Sequence, residues 1–142
     1  MATPYQDRKL PAPVIYPENQ PFWDAAGRGE LLIPHCAACG PYWYPRPYCP
    51  HCGGHQTELK RSAGRGVVYS LSITRRAGPI AYAIAYVTLD EGVTVMTNLA
   101  DCDLDSVRIG DRQERNPATK KLCAPYTSTE HTRVGTPRNV FM

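Results

Sequence analysis

Residues 35–53 read HCAACGPYWYPRPYCPHCG and hold four of the chain's six cysteines. Cys36 and Cys39 form one CxxC pair, Cys49 and Cys52 a second, and nine residues separate the pairs. Each pair fits a tight turn whose backbone amides point at the thiolates, and two such knuckles supply the four sulfurs of a tetrahedral metal site. Gly40 and the Gly53-Gly54 pair follow directly, where the turns need residues without a Cβ. Four thiolates close the coordination shell, whereas a catalytic ion keeps one position open for water, so the expected metal is structural. Zinc is favoured, although four sulfurs also accept iron. A thioredoxin-type redox role fits poorly, because that CxxC opens a helix after a strand and no βαβ pattern surrounds either pair. His35, His51 and His55 lie close by, but four cysteines need none of them, and exposed knuckle positions are their expected role.

Between the pairs, PYWYPRPY (41–48) places four aromatics in eight positions. A small ribbon has almost no core of its own, so these rings are expected to cover the metal and dock the ribbon on a neighbouring element. The alternative role, facing a partner or ligand, falls to Tyr44, Pro45 and Arg46. Upstream, ENQPFWDAAGRGE (18–30) predicts a short helix: Asn19 can cap it, Pro21 suits its first turn, and Gly27 and Gly29 stop it. Phe22 and Trp23 are its expected anchors. Residues 1–17 carry four prolines and no apolar periodicity, so 1–16 read as an extended arm or a disordered segment. LLIPHC (31–36) is a brief strand leading into the first knuckle.

After residue 58 the texture becomes that of strands: GVVYSLSIT (66–74), IAYAIAYVTL (80–89) and GVTVMTNLA (92–100). The middle run is apolar or aromatic at nearly every position, as a strand covered on both faces would be. Asp90-Glu91-Gly92 is a tight hairpin signal, and DCDLDSVRIG (101–110) reads as a capped turn into a further strand. Short strands this closely spaced point to a small all-β barrel or sandwich. From residue 113 onward, QERNPATKKLCAPYTSTEHTRVGTPRNVFM lacks periodicity and reads as irregular or disordered. Cys102 and Cys123 have no pairing partner at metal spacing and are expected to be inert.

Residues 1–110 carry ten Lys/Arg and ten Asp/Glu, and residues 111–142 carry six against three. A neutral body argues against nucleic-acid binding, which needs positive charge along the strand's path. Tyr69, Tyr82 and Tyr86 are suited to stacking on bases, and Arg61, Arg65, Arg75 and Arg76 form the only local basic cluster. A nucleic-acid-binding ribbon/OB module is therefore the alternative reading. No apolar run approaches the roughly 18 residues of a membrane span, and the first residues lack the apolar core of a signal peptide. A cytoplasmic location is expected, where paired cysteines favour metal over disulfide. No catalytic constellation stands out: Asp90 and Glu91 occupy a hairpin tip, and Asp101, Asp103 and Asp105 look like turn and capping residues.

The succession PFWDAAGRGELLIPHCAACG, YPRPYCPHCGG, GRGVVYSLSIT, AYAIAYVTLDEGVTVMTNLADC and DSVRIGD resembles a known family across residues 17–111. These are the acyl-CoA-associated zinc-ribbon plus OB-fold proteins, long catalogued as a domain of unknown function. The resemblance implies a mainly β fold: an N-terminal helix and rubredoxin-like zinc ribbon (17–58), then a small OB-type barrel (59–111). It also implies a non-catalytic companion of thiolase-like enzymes or aldolases, in a hetero-oligomer that accommodates an acyl-CoA in lipid, steroid or polyketide metabolism. The likeness fails after Asp111, where the family continues with an apolar closing strand. Such a loss of texture is what a reading-frame change near Arg112 would produce. A native tail over 112–142 would instead leave the barrel short of a strand, with an exposed edge.

Overall fold

A computed structural model describes residues 3, 6, 12–43, 45–76, 78–115, 122 and 123. Its one helix among these, α1 (Gln20–Gly27), has proline in its first turn and buries Phe22, Ala25 and Ala26, the spacing of one helical face. Asn19 stands at the N-cap without donating or accepting a side-chain cap bond to the helix. Its Oδ1 instead accepts the Tyr16 amide at 2.8 Å, tying the incoming arm to the helix start. Gly29, at φ +86°, ends the helix, and the Glu30 amide bonds back to the Ala25 carbonyl at 2.9 Å.

The ribbon strands β1 (Leu32–Cys36), β2 (Gly40–Pro41) and β3 (Thr57–Arg61) form an antiparallel sheet in the order β2-β1-β3. The remaining strands, β4 (Arg65–Thr74), β5 (Tyr82–Leu89), β6 (Thr94–Ala100), β7 (Arg112–Arg115) and β8 (Leu122–Cys123), close into a barrel in the order β4-β5-β6-β8-β7. The expected hairpin joins β5 to β6 through Gly92 at φ +91°, with the Leu89 amide donating to the Val93 carbonyl at 2.8 Å. Gly66 sits where β5 presses closest: a Cβ there would stand 2.4 Å from the Thr88 carbonyl oxygen.

Two expectations are corrected here. Residues 112–115 are not irregular: β7 pairs antiparallel with β4 (Gly66 opposite Gln113) and with β8, while β8 runs parallel to β6. The closing strand forms without an apolar alternation, through its ladders to β4 and β8; Arg112 also bonds Asp90 at 3.1 and 3.2 Å and Arg65 bonds Glu114 at 3.2 Å. Nor is β5 covered on both faces. Ala83, Ala85, Val87 and Leu89 are buried, while Tyr86 between them is 48% exposed.

One apolar core runs through the molecule. Phe22 of α1 and Leu31 and Ile33 at the base of the ribbon belong to the same buried cluster as Val68, Val87, Val95, Leu99, Leu104 and Val107 of the barrel. A second link is polar, Glu91 Oε1 accepting the Ala63 amide at 2.9 Å. From the arm, the Thr3 amide donates to Asp103 Oδ1 at 2.8 Å and its hydroxyl donates to Asp105.

That Thr3 hydroxyl, aided by the Arg75 guanidinium and opposed by desolvation, holds the Asp105 carboxyl below its ordinary range. A depressed carboxyl stabilises the fold above the unfolded-state value of about 3.9 and loses that contribution as pH falls through the folded-state value. Lowering the pH from 5 to 2 should therefore weaken the hold of the 103–105 turn on Thr3, seen at each pH as a shift of the Thr3 and Leu104 amide NMR resonances. Asp105→Asn should flatten this dependence, and an unchanged pH profile in that variant would remove Asp105 as its source.

Candidate metal centre

Both knuckles form as backbone turns. Cys36 pairs with Gly40 across the first, and Gly40 takes φ +86°. In the second, Gly53 at φ +71° lets its amide reach the Cys49 carbonyl at 2.8 Å. The amides of His51 and Gly54 point at Cys49 Sγ and Cys52 Sγ, each at 3.4 Å. Cys36 and Cys49 are buried while Cys39 and Cys52 are exposed, so the cluster sits at the ribbon's tip.

The sulfurs of Cys36, Cys39, Cys49 and Cys52 all lie within 4.8 Å of one another. Tetrahedral zinc with Zn–S of about 2.3 Å requires S···S separations of about 3.8 Å, and Cys36 and Cys52 stand at 3.7 Å. The donor set and its spacing fit a tetrahedral thiolate-bound ion. The electrostatics agree. The Cys36 thiol falls from 9.0 to about 7, first through the backbone N–H of Cys39 and then that of Ala38. Cys39 is pushed up to about 12, chiefly by its hydrogen bond with Cys52, then by desolvation and the adjoining sulfurs. One thiolate forms readily on the knuckle amides and the next resists joining it, the imbalance that a divalent cation relieves.

None of the nearby histidines belongs to this cluster. His51 and His55 are exposed, and His55 Nδ1 lies 3.2 Å from the Pro47 carbonyl; His35 is half-buried on β1. The aromatic loop divides its work. Tyr42, 2% exposed, clusters with Cys36 and Cys49 and donates its hydroxyl to the Arg46 carbonyl at 2.9 Å. Trp43 leaves the metal centre and meets Phe22 edge-on at 5.8 Å, docking the ribbon on α1. Of the alternative trio, Pro45 is buried, Arg46 is exposed, and Tyr44 falls outside the described residues. Arg46 and Tyr48 face Val14 and Tyr16 of the arm across a cleft of about 380 Å³. Cys102 packs against the barrel core, and Cys123 forms part of β8.

A thiolate-knuckle ribbon continuous with an OB-type barrel defines the class: a zinc-ribbon/OB-fold protein. Residues 23–58 match the rubredoxin-like zinc ribbon domain of ChsH2, and residues 60–116 its C-terminal OB-fold domain. The chain belongs to this ChsH2-type, or DUF35, family. It is 41% identical over 95 residues to a DUF35 domain-containing scaffold protein of Methanothermobacter thermautotrophicus, covering 61% of this chain and 71% of that protein. It is 36% identical over 105 residues to a probable enoyl-CoA hydratase alpha subunit of Thermomonospora curvata, covering 70% of this chain and only 33% of that longer relative. Among solved structures, a chain of the Ltp2-ChsH2(DUF35) aldolase superposes with a TM-score of 0.63 at 31% identity, covering 78% of this chain and 94% of that one. A DUF35-family protein of Sulfolobus solfataricus shares the fold, at a TM-score of 0.51 and 16% identity, over 69% of this chain and 76% of that one. The OB-fold match extends to residue 116, past the point where the sequence loses its apolar texture. Among the described residues no helix is long and apolar enough to cross a membrane.

Proposed function

We propose that the protein is a non-catalytic subunit of an acyl-CoA-processing complex, pairing with a thiolase-like enzyme or aldolase and helping it accommodate the acyl-CoA. Cys36, Cys39, Cys49 and Cys52 ligate one structural zinc, which fixes the Tyr42–Tyr48 loop and hence the ribbon's outer surface. The observation that carries this reading is the likeness to a chain of the Ltp2-ChsH2(DUF35) aldolase over 94% of that chain's length. Relatives named as scaffold proteins support it. So does the way the acidic groups are engaged: Asp90 with Arg112, Asp105 with Arg75, Asp111 with the Arg108 amide and Glu91 with the Ala63 amide. These are structural attachments of the kind that hold turns and strand ends.

In the nucleic-acid alternative, three of the four arginines of the basic cluster are engaged in similar pairs. Arg65 binds Glu114, Arg75 binds Asp105, and Arg61 lies 3.9 Å from Glu30.

The test is reconstitution with a thiolase-like or aldolase chain, sought first among the reading frames beside the gene. The two chains should co-elute in size exclusion with light scattering, and acyl-CoA turnover should rise at least tenfold over the enzyme alone. A monomer that neither co-elutes nor alters turnover rejects the proposal. Salt-sensitive retention of single-stranded DNA on a filter would favour the alternative.

A further inference from the structure

Beyond Arg65, which is exposed at the start of β4 and pairs with Glu114, the outward face of β4, β5 and β6 carries no charge. From Val67 to Thr74, Tyr82 to Leu89 and Thr94 to Ala100 the sequence contains no Asp, Glu, Lys or Arg. One-sided antiparallel sheets ordinarily turn polar and charged side chains to water. Here the exposed centre is aromatic and apolar instead: Tyr69 is 69% exposed, Tyr86 48% and Met96 48%.

These three side chains form a row. Tyr86 on β5 stands directly opposite Met96 on β6 and opposite Ser70 on β4. Tyr69 enters the row through a bulge: Val68 faces Val87 and Ser70 faces Tyr86, leaving Tyr69 as the extra residue. A bulge re-aims a side chain that regular alternation would send to the other face. In this barrel it leaves Tyr69, the more exposed of the two rings, on the same face as Ser70 and its partner Tyr86. Below the row, Thr88 and Thr94 share a hydroxyl–hydroxyl hydrogen bond of 3.0 Å. Tyr and Met at the centre, hydroxyls around them and no charge is the composition of a protein–protein interface core.

Charge decides what fits against it. Nucleic acid and anionic membranes need cations that the face lacks. A small molecule needs a concavity, and among the described residues the clefts at the arm and around Gly64 and Gln113 include none of these side chains. A charged protein surface would bury its charges here without counter-charges. The complement is therefore an equally uncharged, apolar face of a folded protein.

We infer that the outward face of β4–β6, centred on Tyr69, Tyr86 and Met96, docks an uncharged apolar face of the partner enzyme. This rests on the reading of the protein as a subunit of a complex. The test uses the full chain with the thiolase-like or aldolase chain of that reconstitution. In the wild-type complex, peroxide oxidation of Met96 should slow at least fivefold relative to the free chain. Tyr86→Glu should weaken association at least tenfold, while Leu59→Glu, at an exposed site on β3 of the ribbon sheet, should change it less than twofold. A complex that forms with Met96 oxidised as fast as in the free chain, and with Tyr86→Glu binding normally, overturns the inference and leaves the subunit reading intact. No complex at all overturns both.

Discussion

Cys49→Ser should abolish metal binding and unfold the ribbon tip while leaving the barrel standing. Cys49 is fully buried, its Sγ accepts the His51 amide, and its backbone closes the second knuckle at both ends. Serine supplies a poorer ligand and cannot complete a four-thiolate shell. Structural zinc contributes apparent free energies of about 10–16 kcal/mol in small zinc domains, more than a two-residue strand and one buried tyrosine can replace. The span from Ala37 to Gln56 should become sensitive to protease, and metal content should fall from one ion per chain to below a tenth by elemental analysis. The barrel should survive because Leu31 and Ile33 are buried with it rather than with the thiolates. Prolonged chelation of the wild type should give the same cleavage pattern. A serine variant with full metal content and an intact ribbon would remove Cys49 from the ligand set. The colour of the purified protein separates the two metals, since four-thiolate iron is red and zinc colourless.

How much of this was readable follows from how local each signal is. A knuckle is encoded within four residues, so Cys36–Cys39 and Cys49–Cys52 announce the ribbon without knowledge of anything distant. Strands β4 to β6 were readable because aliphatic runs and the Asp90–Gly92 turn are likewise local. Strand β7 was not, since its pairing of Gly66 with Gln113 joins distant segments and its sequence, RQER, has no apolar period. Gln113 points inward, 1% exposed, and its amide atoms have no partner among the described residues. A polar residue at a buried position defeats any period-based reading. The same tertiary override explains Asn19, whose side chain serves the arm instead of the helix, and Tyr86, whose apolar neighbours suggested a cover although the ring is 48% exposed.

The junction between ribbon and barrel bears the second large effect. Phe22 is fully buried, meets Trp23 edge-on at 5.1 Å and Trp43 at 5.8 Å, and belongs to the cluster that includes the barrel core. Phe22→Ala removes the ring from which helix, ribbon and barrel all draw contacts. Large-to-small changes at such sites cost about 3–5 kcal/mol, and at roughly 3 °C per kcal/mol for a chain of this size the melting temperature should fall by about 10 °C. Metal content should stay at one ion per chain, because the knuckles hold the thiolates through their own backbone and Tyr42 covers them from within the ribbon. Unfolding should remain a single transition, since one core joins both parts. Two separated transitions, with only the lower displaced by the substitution, would mean that ribbon and barrel are tethered rather than fused. The pairing of outcomes is diagnostic: Cys49→Ser loses metal and keeps the barrel, whereas Phe22→Ala keeps metal and weakens everything together. A variant of Phe22 that melts within 2 °C of the wild type would place the load of the junction elsewhere, on the Glu91–Ala63 contact.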